Sequence, residues 1–245
     1  MANQKQLWGL VAYELKVTPV NQLLRQLFMA AIIAFFFGFF IDRDIKNWGA
    51  VIADLVLCIF VMFYPYSGRL QIFRVVKIKS HLYANAFYVQ ASMLPIKQEV
   101  LLASRLILSF FYTFLTAVVG VSGAFLLPNS NPLFSELSLG QSVAFILLWA
   151  LIAASAGAFL AAGDVGGKYS IKQLINYNVL LYSSVIILFA ALHFFTGKGL
   201  VGWSFDIVTN APFLSVCIAL LVFLISNVLA FLEAKRLAKK VDYHV

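Results

Sequence analysis

The sequence predicts an all-α, polytopic membrane protein with six transmembrane helices. Of its 245 residues, 62% are hydrophobic and only 11% are charged, which is too apolar for an ordinary soluble domain. A bilayer core about 30 Å thick needs roughly 20 apolar residues in a helix. Six stretches approach or exceed that length: residues 24–41, 48–66, 106–127, 137–162, 174–196 and 207–232. We interpret residues 1–245 as a single transmembrane domain.

The distribution of Lys and Arg predicts the orientation of these spans. If both termini lie in the cytoplasm, only Arg43, Lys46 and Lys198 of the eighteen Lys and Arg residues fall on the outer side. Lys and Arg resist translocation, so we expect a multi-pass protein with both termini cytoplasmic. The net charge of +8 is explained by this topology and by contact with anionic lipid headgroups. Nucleic acid is not expected as a partner.

The N-terminal segment, residues 4–17, is predicted to be an amphipathic helix lying on the membrane surface. Its apolar residues recur at helical spacing: Leu7, Trp8, Val11 and Leu15. Glu14 interrupts this stripe. The helix is expected to end at Thr18, because the residue before Pro19 avoids the α region.

The longest segment between predicted spans is residues 67–105, which we place on the cytoplasmic side. It opens with a basic run that cannot enter the bilayer cheaply: Arg69, Arg74, Lys77 and Lys79. Residues 80–94 are predicted to form a helix at the inner surface. Pro95 breaks it, and residues 96–104 are predicted to form a short helix leading into the third span. The outer loops, near 42–47, 128–136 and 197–206, are too short for a folded domain.

Polar residues inside the predicted spans are few. Asp54 is the only charged residue well within one, and an intramembrane carboxylate indicates a function by default. It also lies close to the outer boundary, where it could pair with Lys46 or Arg43, and both interpretations stay open. His193 has no second ligand at i+3 or i+4, so we expect it to form a hydrogen bond at the interface rather than to bind a metal.

Motifs for catalysis or nucleotide binding are not found in the sequence. Residues 163–170 contain a Gly-Gly-Lys run, but a phosphate-binding loop needs Gly at position 162 and Ser or Thr at 169, where Ala and Tyr stand. These glycines are expected to form a tight turn between spans four and five. HExxH, GxSxG and Cys/His patterns are absent. Cys58 and Cys217 are interpreted as small packing residues.

Small residues recur every four positions in two predicted spans. They allow helices to approach closely where lipid gives no hydrophobic driving force. The residues are Gly120 and Ala124 in the third span, with Ala153, Gly157 and Ala161, and Ala154, Ala158 and Ala162, in the fourth. The sequence leaves open whether these faces pack within one chain or between two.

The strongest family signal lies in residues 91–105, ASMLPIKQEVLLASR. This stretch resembles the cytoplasmic loop of ABC-2-type permeases, the membrane subunits of ATP-binding-cassette exporters. Those proteins combine six spans, an N-terminal elbow helix and a Leu-Pro-Ile-like break before a short coupling helix. The architectural resemblance covers the whole chain, and the motif covers about a dozen residues. It implies contact with the ATPase through Leu94, Pro95, Ile96, Lys97, Gln98 and Glu99.

The resemblance implies the membrane-spanning half of an exporter in a bacterial cell membrane. A separate ATPase chain would bind ATP and magnesium, and this chain would bind no cofactor and have no enzymatic site. The small size resembles exporters of phenol-soluble modulins and lantibiotic-immunity transporters, so amphipathic peptides are the expected substrate. A second permease copy or a homologous permease is the expected partner, since six spans enclose too little space alone. The alternatives are an ion-coupled secondary transporter or a membrane-embedded enzyme.

Overall fold

The structure, a computed structural model, describes residues 2–40, 48–79, 82–127 and 136–241. About 83% of the chain is helical, which confirms the all-α class apart from one small sheet. The helices are α1 (Ala2–Val17), α2 (Val20–Phe35), α3 (Trp48–Cys58), α4 (Tyr64–Ser67), α5 (Ala86–Ser92), α6 (Gln98–Leu126), α7 (Leu139–Gly163), α8 (Ile171–Thr196), α9 (Leu200–Asn210) and α10 (Pro212–Ala238). The strands are β1 (Val75–Lys79), β2 (Leu82–Asn85) and β3 (Gly167–Lys168).

Four described helices are long and apolar enough to cross a membrane: α2 as far as Gly38, α6, α7 and α10. The end of α8 and the whole of α9 form a fifth candidate, bent by 54° at the break between them. The predicted second span is divided among α3, a π-helical stretch at Ile59–Phe63 and α4, and contributes only a shorter apolar helix. The lengths and hydrophobicity of these helices therefore support the prediction of a membrane protein, and the count of six spans stays a prediction.

Aromatic residues fill the middle of the bundle. Phe37 meets Phe145 and Trp149 edge-on, with ring centroids 5.9 and 5.1 Å apart. Phe145 packs in turn against Phe205 of α9. The indole N–H of Trp149 donates to Ser204 Oγ at 3.2 Å, as a buried Trp usually requires. Helices α2, α7 and α9 thereby share one apolar core.

The helix predicted over residues 80–94 is wrong in its first half. Strand β2 lies there instead, and it pairs antiparallel with β1 on one edge and with β3 on the other. The alternation of β-branched and charged residues in Val75–Lys79 favours a strand. Helix α5 begins only at Ala86, where the Asn85 side chain accepts a hydrogen bond from the Tyr88 backbone N–H at 3.0 Å. That contact is an N-cap.

Two further boundaries differ from prediction. The break around Pro95 is present, but the helix after it is not a separate short one, because α6 runs without interruption for 29 residues from Gln98. The predicted outer loop at 197–206 contains most of α9. The N-terminal helix ends at Val17, as the Thr18-Pro19 pair predicts.

Candidate functional site

Four charged side chains are buried together where α1, α6 and the end of α7 meet. We call Glu14, Arg69, Arg105 and Asp164 the buried ion network; each is at most 1% exposed. Arg105 Nη1 donates to Glu14 Oε2 at 2.6 Å, and Arg69 Nη1 donates to Glu14 Oε1 at 3.3 Å. Arg69 Nη2 reaches both carboxylate oxygens of Asp164 at 3.2 Å. Two positive charges are thus balanced by two negative ones.

Neighbouring aromatic residues make further contacts with the charged groups of this network. The Tyr66 hydroxyl donates to Asp164 Oδ2 at 2.6 Å, and the Arg69 guanidinium lies 3.5 Å from the centre of the Tyr66 ring. Arg105 lies 5.1 Å from the centre of the Phe87 ring. Burial acts to lower the pKa of Arg69, but Asp164 and Glu14 outweigh it and hold that pKa above its ordinary value. Arg69 therefore stays charged, which keeps the network an ionic one.

Local backbone structure positions the two residues that lie outside long helices. Arg69 follows α4, and its Nε donates to the Tyr66 carbonyl at 3.0 Å. Asp164 is the C-cap of α7, and its carbonyl accepts from the Asn85 N–H at 3.0 Å. Gly166, with φ of +78°, then turns the chain into β3. A residue with a side chain is strained at that φ, so this turn requires a glycine at position 166.

The buried ion network joins segments far apart in sequence at one end of the bundle. We call this the basic end: residues 2–18, 67–79, 82–105, 163–170 and 235–241. Further contacts tie these segments together, including the pairing of β2 with β3 and an ion pair of 2.7 Å between Lys235 Nζ and Glu99 Oε1. Breaking a buried charge pair is strongly unfavourable, so we expect these segments to move as one unit.

Residues 93–97 form the connection between α5 and α6, which we call the loop tip. Met93 and Leu94 are 57% and 56% exposed. Ile96 is only partly exposed and lines a cavity of about 150 Å³, to which Met93, Leu101 and Ala238 also contribute. Among the residues expected to contact an ATPase, the structure therefore exposes Leu94, places Ile96 against its own chain, and adds Met93, which the sequence pattern does not indicate.

The rest of that expected contact set lies on the surface. Pro95, Lys97, Gln98 and Glu99 are all exposed. Lys97 is the N-cap of α6, and Glu99 in the first helical turn carries the ion pair to Lys235. The charged residues of the set thus lie on the surface at the start of α6, directly after the exposed apolar tip in the chain.

The small-residue faces lie inside the chain. A Cβ on Gly157 would come within 2.7 Å of Ser109 and Thr113 of α6, and one on Gly120 within 2.7 Å of Ile33 of α2. The alanines expected on these faces are buried: Ala124, Ala153, Ala154, Ala158, Ala161 and Ala162. In the described residues the faces with Gly120 and Gly157 bring α2, α6 and α7 together, while Ala158 and Ala162 belong to a cluster with Ala230, Ala234 and Ala238 of α10.

Asp54 lies at the opposite end of the bundle, buried against the start of α9. Its carboxylate accepts hydrogen bonds from the backbone N–H groups of Leu200 and Val201. His193 lies close enough to Asp54 to interact with its charge. The predicted pairing with Lys46 or Arg43 falls on residues outside the described ranges. Asp54 thus accepts from two N–H groups in the first turn of α9 and plays the part of an N-cap side chain, although the N-cap residue itself is Gly199.

Cys58 is buried and Cys217 is exposed. Within residues 2–40, 48–79, 82–127 and 136–241, no group of three or more His, Cys, Asp or Glu side chains could hold a metal ion. Comparison of the chain with protein-family models, curated proteins and solved structures gives no match.

Proposed function

We propose that this chain is the membrane-spanning permease subunit of an ATP-driven exporter of the ABC-2 class. In this proposal a separate ABC-type ATPase binds ATP and magnesium, and the cargo is an amphipathic or hydrophobic peptide. The observation that carries the proposal is the exposure of two apolar residues at the loop tip. Its apolar residues Met93 and Leu94 project from the basic end and are joined directly to a long helix that crosses the bundle.

The position of the loop tip suits the transfer of force from a soluble motor. Exposed apolar residues surrounded by charged ones are typical of a protein-protein contact, in which buried anchors give affinity and rim charges set specificity. Here Met93 and Leu94 are the anchors, and Lys97 and Glu99 are the rim. A displacement of the tip is passed to α6 because the two are continuous. The buried ion network links α6 to α1 and to the end of α7, so these elements are displaced with α6.

Contacts at the two ends of the bundle support six crossings as part of the proposal. Tyr66, which ends the second predicted span, bonds to Asp164 at the basic end, whereas Asp54 in the same span bonds to Leu200 at the opposite end. Gln141 at the start of α7 likewise donates to the Thr209 carbonyl at the opposite end at 3.0 Å. This alternation fits cytoplasmic termini, with the basic end facing the cytoplasm.

An apolar groove between α2 and α6 suits the proposed cargo. It has a volume of about 370 Å³, opens to the outer surface of the bundle, and is lined mainly by aliphatic and aromatic side chains. Gln26, Tyr112 and Thr116 supply its polar groups, and Thr116 Oγ1 donates to Gln26 Oε1 at 3.4 Å. Such a surface accommodates apolar side chains and a few backbone polar groups better than it does sugars or ions.

The test is to replace Leu94 with Asp in the full chain, expressed in its host with an affinity tag. The matched control is Ile78→Asp, which places the same charge on an exposed apolar residue of β1 in the same segment. We expect L94D to insert normally but to lose the co-purifying Mg-ATPase activity and peptide export, while I78D retains both. Equal retention by the two variants refutes the coupling assignment. Export that follows a proton gradient without ATP supports the secondary-transporter alternative.

A second set of variants tests the division of roles within the tip. Because Ile96 lines a cavity of its own chain, Ile96→Asp is expected to lower the thermal stability of the purified protein. Leu94→Asp is expected to leave that stability unchanged. Loss of ATPase association without loss of stability is the result that separates a contact residue from a packing residue.

A further inference from the structure

A second cavity lies at the basic end, between the turn that follows α7 and the last turns of α10. It has a volume of about 570 Å³ and is open to the surface. Its charged lining consists of Lys168, Arg236, Lys240 and Glu233. Three cations thus face one carboxylate, and the cavity carries an excess of positive charge.

We propose that this cavity binds the phosphate group of an anionic ligand, with an anionic phospholipid headgroup and a soluble phosphate as the two sources. Arg236 lies in the last turn of α10 and Lys240 in the turn that follows the helix, and both line the cavity. Lys168 reaches the cavity from β3. Arg and Lys are the side chains that form the strongest hydrogen bonds to phosphate oxygens. Cations contributed by two separate chain segments can contact different oxygens of one phosphate.

The cations of this cavity are available to a ligand. Among the described residues, neither Lys168 nor Lys240 makes an ion pair, in contrast to the nearby Lys235, which bonds to Glu99 at 2.7 Å. Arg236 contacts Glu233 at 3.4 Å, and both of these side chains are largely exposed. An exposed pair of this kind is worth little, so a phosphate can displace the carboxylate.

Two tyrosines form the remaining polar wall. The rings of Tyr169 and Tyr177 meet nearly perpendicularly with centroids 5.9 Å apart, and both line the cavity. A tyrosine hydroxyl has an ordinary pKa of about 10 and is a hydrogen-bond donor at neutral pH, and burial raises the pKa of Tyr169 further. A Cβ on Gly167 would lie 2.6 Å from the Tyr169 ring. The ring occupies its position because residue 167 has no side chain.

The location favours a lipid headgroup over a soluble anion. Helix α10 is one of the four long apolar helices, and the cationic residues follow its apolar part directly. Tyr177 is exposed on α8, and tyrosine is enriched at the headgroup level of membranes. Basic pockets between transmembrane helices at this depth bind phospholipid headgroups.

The experiment measures retention of phosphatidylglycerol on the purified full-length chain by native mass spectrometry, with phosphatidylcholine as the neutral reference lipid. The site variant is Arg236→Gln with Lys240→Gln. The control variant is Lys5→Gln with Lys16→Gln, which removes two exposed charges from α1 at the same end of the bundle. We expect the site variant to bind phosphatidylglycerol about 25-fold more weakly. This is about fivefold per removed cation, the fold-change that corresponds to about 1 kcal/mol. The control should bind as wild type.

Each result bears on the proposal. Equal weakening in both variants means that the charge acts diffusely, and it overturns the site. Binding of inorganic phosphate that depends on the same two residues, with no preference for phosphatidylglycerol, supports the phosphate site and identifies the soluble source. Glu233→Gln removes the competing carboxylate and should strengthen binding, which keeps the test valid if the double variant fails to fold. Unchanged or weaker binding in a folded E233Q overturns the proposal.

Discussion

Replacing Glu14 with Gln tests the most tightly connected part of the structure. Glutamine keeps the size of the side chain and one carbonyl acceptor, but it removes the negative charge. Arg69 would keep its ion pair with Asp164, but Arg105 would lose its carboxylate partner, and the buried ion network would carry an uncompensated positive charge. We expect α1 to detach from the rest of the basic end more often than in the wild-type chain.

The expected loss of stability follows from the two hydrogen bonds that Glu14 accepts, at 2.6 and 3.3 Å. A hydrogen bond involving a charged group contributes about 1.5–3 kcal/mol, and removing one partner of a buried pair costs about 3–5 kcal/mol. Because Gln retains one acceptor, we expect a loss of stability at the lower end of this range, about 3 kcal/mol. At 1.4 kcal/mol for each factor of ten, that is roughly a hundredfold change in the docking equilibrium of α1.

The assay combines unfolding by detergent titration with the rate of tryptic cleavage after Lys16, which lies on α1. E14Q should unfold at lower denaturing-detergent content and be cleaved faster. The control is Glu99→Gln, which removes a carboxylate from an exposed ion pair at the same end of the bundle and should behave as wild type. The double variant Glu14→Gln with Arg105→Gln removes one charge of each sign and should recover part of the loss. The reasoning is refuted if E14Q and E99Q are indistinguishable from wild type in both measurements.

Two more predictions concern packing and topology. Gly157→Leu should lower the thermal unfolding temperature of the purified chain, with a loss of about 1–3 kcal/mol for overpacking, because its side chain meets α6. Gly163→Leu, at a helical glycine with open space around it, is the control, and equal unfolding temperatures would contradict the close approach of α6 and α7. In a cysteine-free background, Thr196→Cys should react with an impermeant thiol reagent added outside intact cells, whereas Gly163→Cys should react only after permeabilisation. Outside labelling at position 163 would reverse the predicted orientation.

Helix positions followed from the sequence because hydrophobicity alone predicts most of them. The predicted fourth span, 137–162, corresponds to α7 at Leu139–Gly163. The predicted third span began at residue 106, whereas α6 begins at Gln98, since a helix continues beyond the apolar segment as long as its residues favour it. The strands were missed for a different reason. They are only two to five residues long, and β2 pairs with the neighbouring β1 on one edge and with β3, more than eighty residues away along the chain, on the other.

The buried ion network shows what a residue pattern could and could not predict. Glu14 was visible as a carboxylate that interrupts an apolar helical stripe, which is a sign of a buried partner. Its partners were not identifiable, because Arg69 and Arg105 lie 55 and 91 residues away. Asp164 belongs to the Gly-rich segment 163–170, which lacks two of the residues that a phosphate-binding loop requires. Only the three-dimensional arrangement brings these four side chains together.

The two kinds of packing in this chain have different physical consequences. Between α2, α6 and α7 the contacts are formed by small residues, which allow close approach, and by larger aromatic and aliphatic side chains. At the basic end, two arginines and two carboxylates must meet their partners at hydrogen-bond distance, because any other arrangement leaves a charge buried without compensation. Apolar contacts therefore hold the bundle together along its length, while the buried ion network fixes how the loop tip, α1 and the end of α7 are aligned. For a subunit that receives force at the loop tip, that alignment determines which helices move with it.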